Sequence, residues 1–190
     1  MKKILLSLVV LASLNVVAEE APWLLEARKV ASTVPPKLLQ VLSEEIAKGG
    51  PASAIGVCRD KAPQIAKAAS EQSGWAIKRV SLRNRNPKAV PDAWERAALE
   101  EFDRRAAAGE SPASLEKSSL VTEAGRTEYR YMKALPVQQV CLACHGAPDS
   151  LMPEVTHQLR TLYPDDKAVG YVTGQIRGAM TIRKTVSNPS

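Results

Sequence analysis

Three residues carry the clearest chemical signal in the chain. Cys141, Cys144 and His145 belong to the segment Cys-Leu-Ala-Cys-His, which has the spacing of the c-type haem attachment motif. Two thiols three residues apart on one helical turn can form thioethers with the two vinyl groups of a haem, and the histidine that follows can ligate the iron. The segment therefore predicts one covalently attached haem c, held by Cys141 and Cys144, with His145 as the proximal ligand.

Other uses of a Cys-x-x-Cys pair agree less well with the surrounding sequence. A redox-active dithiol follows a strand and opens a helix in a βαβ unit, whereas residues 136–140 follow a predicted hairpin. A structural zinc site needs four ligands, usually from two pairs, and the chain has 3 cysteines and 2 histidines. We therefore favour haem over a redox dithiol, a zinc site or a plain disulfide.

The amino terminus has the three-part form of a secretory signal peptide. Lys2 and Lys3 precede an apolar run from Ile4 to Val17, and the small residue Ala18 ends a cleavage site. The run is shorter than the roughly 20 apolar residues that span a bilayer, and no later segment is apolar enough to span one. We expect residues 1–18 to be a signal peptide and residues 19–190 to form a single periplasmic domain. Covalent haem attachment also takes place outside the cytoplasm.

The charge balance argues against a nucleic-acid partner. The full chain has 26 basic and 20 acidic residues and a net charge of +6. Loss of Lys2 and Lys3 with the signal peptide leaves 24 basic residues against 20 acidic ones, a net charge of +4. Such a small excess suits an acidic protein partner better than a polyanion, so we expect no nucleic-acid binding.

The order of predicted elements indicates an α+β domain, an antiparallel sheet with N-terminal helices. A composition of 45% hydrophobic and 24% charged residues is that of a folded globular protein. Helical patterns cover residues 23–48, 51–74, 92–109 and 154–162. We expect a kink, or two helices that meet, at Pro35-Pro36, and a capping box at Asp92 and Glu95. Strand patterns cover residues 75–82, 118–122, 127–134 and 175–186, with a hairpin turn at 123–126.

The sixth iron ligand decides what a haem iron does, and spacing alone leaves it open. The candidates are Cys58, Met132, Met152, His157 and Met180. Met152 follows His145 by only seven residues, which makes the opposite haem face hard to reach. Cys58 is the thiol outside the motif, and a free cysteine on the apolar face of a helix is often an inert small hydrophobe.

Four basic residues lie on the predicted strand and in the loop that follows it. Haem propionates are carboxylates that arginine and lysine pair with readily. A basic loop is also commonly just a solvated surface. The residues in question are Arg79, Arg83, Arg85 and Lys88.

Four segments in the same order resemble a bacterial family of exported haem domains whose function is largely unassigned and whose prototype is cyanobacterial. The segments are residues 55–66 around Cys58, residues 79–95, residues 141–146, and residues 166–179. The resemblance implies a PAS-like fold, one covalent haem c, and an axial pair that corresponds to His145 and Cys58. Ala89 departs from the family, where a polar Asn is expected, and this affects the hydrogen bonding of its loop.

Three functions are compatible with such a protein, and we rank a redox or small-ligand sensor first. A ligand that leaves the iron on reduction would open a site for a diatomic gas, NO or CO, and the exported chain would signal through a protein partner. An electron-transfer cytochrome is the alternative. A haem enzyme such as a peroxidase needs an open sixth position and a distal acid–base group. We expect no enzymatic activity, because with Cys58 in that position His157 is the only histidine left.

Overall fold

The computed structural model describes residues 20–186. The predicted signal peptide, residues 1–18, lies outside this range. The described residues form six α-helices and four β-strands: α1 Pro22–Ala31, α2 Val34–Gly56, α3 Ala62–Ser73, β1 Ala76–Val80, α4 Ala93–Ala107, β2 Glu116–Glu123, β3 Arg126–Pro136, α5 Leu142–His145, α6 Pro153–Leu162 and β4 Ile176–Thr185. None of these helices is long and apolar enough to cross a membrane.

The four strands form one antiparallel sheet in the order β1-β4-β3-β2. The last strand therefore lies between the first strand and the β2–β3 hairpin. Ala124 and Gly125 turn the hairpin with φ values of +50° and +74°, which suits the twist of the two strands. The predicted α+β class, antiparallel sheet, N-terminal helices and turn are confirmed.

Helices cover both faces of the sheet. On one face, Leu99 and Phe102 of α4 pack against Val80 of β1 and Met132 of β3. On the other face, Ala27 and Ala31 of α1 pack with Trp75, Tyr131 and Ile182. Tyr131 and Met132 belong to different faces because successive side chains of a strand point to opposite sides.

Prolines and glycines divide the N-terminal helices as the sequence predicts. Helix α1 ends at Ala31, and α2 starts at Val34 with prolines in its first turn, where a missing N–H has no helical partner in any case. Gly50 then interrupts α2 with a φ of +77°. Of the two alternatives at Pro35-Pro36, the structure shows two helices that meet there, and the break before Pro51 is also present.

A capping box begins α4, and a buried carboxylate anchors it to the sheet. The Asp92 side chain accepts the N–H of Glu95 at 2.9 Å, and the Glu95 side chain accepts the N–H of Asp92 at 2.9 Å. Glu95 is fully buried, and Thr181 of β4 donates to its Oε1 at 3.0 Å. Buried Arg130 of β3 pairs with Asp92, so the cap and the sheet are held together.

We predict that Asp92→Ala lowers the free energy of unfolding by about 1–2 kcal/mol, because an N-cap is lost and Arg130 loses a carboxylate. Urea denaturation with an unchanged m-value measures the loss. The control Glu100→Ala, on the exposed side of the same helix, should change stability by less than about 0.5 kcal/mol. Equal losses in the two variants would contradict the role of the cap.

Candidate haem-binding site

The Cys-x-x-Cys-His segment occupies a tight 3₁₀ turn, Gln139–Cys141, that runs into the short helix α5. The two cysteines contact different apolar clusters. Cys144 packs beside Ile55 and Val155, whereas Cys141 packs beside Val137 and Tyr171. All three cysteines of the chain are free thiols. The motif thus lies between helices α2 and α6 on one side and the loop that leads into β4 on the other, and both cysteines are partly buried.

His145 is fixed as a neutral imidazole with one nitrogen available as a donor to a metal. Its Nδ1 lies 2.6 Å from the carbonyl oxygen of Ala168, and since a carbonyl only accepts, Nδ1 carries the proton. Nε2 therefore keeps its lone pair, which accepts a long hydrogen bond from Arg177 Nε at 3.4 Å. A metal bound at Nε2 would replace this contact. Burial, together with the charges of Arg177 and Arg85, holds the pKa of His145 well below its ordinary value. This is the protonation form that iron ligation requires.

The loop before β4 holds the backbone of the motif as well as its side chain. The N–H of Tyr171 donates to the carbonyl of His145 at 2.9 Å, and the N–H of Gly170 donates to that of Gly146 at 2.7 Å. The Tyr171 ring meets the imidazole edge-on, with ring centroids 6.3 Å apart. The position of His145 is consequently tied to residues about 25 positions further along the chain.

Cys58 lies in a π-helical turn, Val57–Lys61, between α2 and α3. In the helical pattern of residues 51–74, Pro63 is expected either to break the helix or to begin it again. The structure shows a π turn followed by α3, with Pro63 in the first turn of α3. Pro63 has no N–H to offer the carbonyl four residues before it, and the N–H of Ala62 instead reaches the carbonyl of Val57, five residues back. Single π turns inside helices are frequent at functional sites.

The structure brings Cys58 and the motif to the same region. Cys144 packs against Ile55, on the same helical segment as Cys58, and its Sγ lies 3.9 Å from the carbonyl oxygen of Pro51. Burial raises the pKa of the Cys58 thiol, and the positive charges of Arg79, Arg85 and Arg177 oppose this shift. Cys58 is therefore a partly buried thiol in a positively charged setting.

The other candidates for a sixth ligand are placed differently. His157 is exposed on α6, and Met152 is 52% exposed. Met132 is fully buried in the core under α4. Met180 is buried in β4, where it is paired in register with Arg79 of β1. Of these candidates outside the α4 core, Met180 is thus buried and Cys58 is partly buried.

The four basic residues that the sequence offers as propionate partners have different environments. Arg85 is buried and forms an ion pair with Asp166 at 2.9 Å. Arg83 is exposed and stacks over Tyr171, with its guanidinium carbon 4.2 Å from the ring centroid. Lys88 is exposed. Arg79 is partly buried, and its guanidinium group has no hydrogen-bond or ion-pair partner among residues 20–186.

Arg177 is a further cation of the site that the sequence did not single out for this role. Its side chain is buried and donates to Ser81 Oγ at 3.1 Å and to the Arg83 carbonyl at 3.2 Å, and it has no carboxylate partner within the described range. Burial and the neighbouring charge of Arg79 lower the pKa of Arg177 to about 9. The only signal for it was that its nearest neighbours in β4, from Ile176 to Met180, are otherwise apolar or glycine. Buried charges are ordinarily paired. Buried Arg177 and partly buried Arg79, which have no carboxylate partner among the described residues, therefore point to an anionic ligand.

A cavity of about 470 Å³ lies beside this region, between the end of α4 and the loop before β4. It shares Tyr171 and Arg83 with the surroundings of the motif but includes none of the three cysteines and not His145. Within residues 20–186, no cluster of three or more His, Cys, Asp or Glu residues is arranged to hold a metal ion. The residues lining the cavity are Ser81, Leu82, Arg83, Leu99, Asp103, Ala106, Ala107, Tyr171, Thr173, Gly174, Gln175, Ile176 and Gly178.

Comparison with known proteins identifies the family. Residues 10–184 match the model of the family described as Tll0287-like. The chain belongs to the Tll0287-like family. The family resemblance predicted from the four sequence segments is thereby confirmed.

The Tll0287-like fold has a solved relative. The crystal structure of the cyanobacterial heme-protein Tll0287 matches with a TM-score of 0.66 and 23% sequence identity, over 90% of this chain and 99% of that chain. At this identity, the match shows that the fold is shared. No curated protein matches the sequence.

The backbone of Gly178 lies close to that of Val80, and this contact leads to a testable prediction about stability. Gly178 has a φ of +153°, and an added Cβ would lie 2.3 Å from the carbonyl oxygen of Val80. We expect Gly178→Ala to push β1 from β4 and to lower the free energy of unfolding by about 2–4 kcal/mol, as measured by urea denaturation.

The control for this prediction is Gly174→Ala. Gly174 also has a positive φ, +88°, but an added Cβ would meet no atom within 4 Å. Backbone strain alone should then lower stability by about 1–2 kcal/mol. If Gly178→Ala were no more destabilising than Gly174→Ala, the close approach of β1 and β4 would not be the cause.

Proposed function

We propose that the chain is an exported, monohaem c-type protein with a PAS-like fold that acts in the periplasm as a haem-based redox or small-ligand sensor. The observation that carries the proposal is His145, which follows two cysteines at haem-attachment spacing and has Nδ1 fixed by Ala168, leaving Nε2 for iron. Cys141 and Cys144 would hold the haem through thioethers. The sheet with helices on both faces supports the PAS-like description.

The surrounding residues suit a haem in charge and polarity. Arg79 and Arg177 supply two cations without carboxylate partners among the described residues, and a haem carries two propionates that such groups bind well. Apolar side chains next to Cys141 and Cys144 suit the macrocycle. The solved structure with a similar fold is described as that of a heme-protein, which supports the same assignment.

We propose that Cys58 would hold the haem iron together with His145. A thiolate beside the iron favours the ferric form, and a bound metal lowers the pKa of a ligating thiol enough to ionise it. Since burial raises the pKa of Cys58, a Cys58 that leaves the iron takes up a proton and stays neutral. Loss of the ligand on reduction is the property that makes a sensor the first choice.

A haem bound here would supply a one-electron centre and, where a ligand departs, a coordination position for NO or CO. Cys58 lies on the π turn between α2 and α3, so its release from the iron would change the positions of both helices. A periplasmic signalling protein that contacts these helices is the proposed partner. Electron transfer to an acidic redox partner is the alternative function, favoured by the expected net charge of +4 of residues 19–190.

We propose no catalytic role. A haem peroxidase requires an open sixth position and a distal acid–base group. His157, the histidine outside the motif, is exposed on α6.

The ligand assignment predicts a specific spectroscopic loss. In the haem-loaded full chain, Cys58→Ala should abolish the low-spin thiolate signature in the ferric EPR and optical spectra while the haem stays covalently bound. Cys141→Ser with Cys144→Ser should remove covalent attachment, which denaturing gels stained for haem detect. His157→Ala is the control and should keep both properties. A thiolate signature that survives Cys58→Ala would refute the assignment of Cys58.

The sensor function predicts a ligand response that depends on oxidation state. The reduced protein should bind CO and NO with a shift of the Soret band, because Cys58 leaves the iron on reduction, whereas the oxidised protein should not bind CO. In reduced Cys58→Ala, CO should bind at least as fast as in the unmodified chain. If the reduced protein stays six-coordinate and binds neither gas, the sensor proposal fails, and fast electron exchange with a redox partner becomes the test of the alternative.

A further inference from the structure

A buried ion pair lies directly behind the motif, on the side of the imidazole that carries Nδ1. Arg85 Nε donates to Asp166 Oδ2 at 3.0 Å, and Arg85 Nη2 approaches the same oxygen at 2.9 Å. The two side chains are only 7% and 11% exposed. The pair joins the loop after β1 to the loop before β4, which are 81 residues apart in the sequence.

The same two side chains hold the backbone on both sides of His145. Arg85 Nη2 donates to the carbonyl of Cys144 at 2.5 Å and reaches that of Ala168 at 3.4 Å. Asp166 Oδ1 accepts the N–H of Ala168 at 2.8 Å. Ala168, whose carbonyl receives Nδ1–H of His145, is therefore held at its own N–H by Asp166, and Cys144, the residue before His145, is held at its carbonyl by Arg85.

We propose that Arg85 and Asp166 are positioning residues that set how strongly His145 donates to a metal. The proposal rests on the proposed role of His145 as an iron ligand. A hydrogen bond from Nδ1–H to a carbonyl makes the other nitrogen a stronger donor, and loss of such a supporting contact typically costs roughly 10–100-fold in metal affinity or activity. A stronger imidazole donor stabilises ferric over ferrous iron, so the intact pair keeps the reduction potential low.

The direction in which each variant shifts the reduction potential separates this positioning role from a purely electrostatic one. Asp166→Asn removes a negative charge near the iron, which by Coulomb's law alone would raise the potential. Arg85→Gln removes a positive charge, which alone would lower it. Loss of positioning weakens the donor in both variants and raises the potential in both. Arg85→Lys keeps the charge but loses the planar fork that bridges Asp166 and Cys144, so it should also raise the potential.

The experiment is redox titration of the haem-loaded full chain, with ferric EPR spectra of the same samples. We expect Asp166→Asn, Arg85→Gln and Arg85→Lys each to shift the ferric–ferrous equilibrium toward ferrous by about tenfold, ~59 mV for one electron, with an altered EPR spectrum. Arg85→Lys decides the question alone if the other variants do not accumulate. Shifts of opposite sign for Asp166→Asn and Arg85→Gln, or no shift for Arg85→Lys, would overturn the proposal.

A matched control removes the ion pair of a different buried arginine, Arg130, whose partner Asp92 is 38% exposed. Asp92→Asn breaks the ion pair with Arg130, whose side chain is 3% exposed, and should lower stability without moving the potential or the EPR spectrum. An equal shift in this control would mean that any loss of packing alters the haem and would overturn the proposal. Absence of covalent haem from the unmodified chain would instead refute the proposed function, so the two failures are distinguishable.

Discussion

The hydrogen bond between His145 Nδ1 and the carbonyl of Ala168, at 2.6 Å, is the interaction around which the site is organised. It determines which imidazole nitrogen keeps a lone pair, and it requires that a loop more than twenty residues away be held in place. Arg85 and Asp166 hold that loop from one side, and Tyr171 and Gly170 bond to the motif backbone from the other. Which imidazole nitrogen of His145 carries the proton thus depends on contacts from three separate parts of the chain.

The balance of buried charge follows from the same arrangement. Three arginines, at positions 79, 85 and 177, lie close enough to Cys58 to act on its thiol, whereas Asp166 is the carboxylate that pairs with one of them. Such an excess of cations is unfavourable in a partly buried region unless anions offset it. A haem with two propionates and an ionised thiol would supply those anions. The site is therefore better matched to a charged cofactor than to any apolar ligand.

The sequence predicted the elements well because their signals are local. The capping box at Asp92 and Glu95, the turn at Ala124-Gly125 and the cysteine motif are each read from a few neighbouring residues. The order of strands, the partnership of Arg85 with Asp166, and the burial of Arg177 depend on which distant segments meet, and no local pattern encodes that. Pro63 combines a local signal with an outcome that depends on distant segments. Its missing N–H predicts a disturbance, but whether the helix breaks or widens into a π turn depends on packing against the rest of the protein.

The position of β4 has a consequence for the order in which the molecule is assembled. Because β4 joins β1 to the hairpin, the sheet cannot close until the last of the described strands has been made. Until then, β1 and the hairpin are separate pieces, and Arg177 of β4 is not yet in place beside His145. Attachment of the proposed haem to Cys141 and Cys144 would then precede insertion of the final strand, which would complete the enclosure. Loss of β4 would separate β1 from the β2–β3 hairpin, whereas loss of the edge strand β2 would leave the other three strands paired.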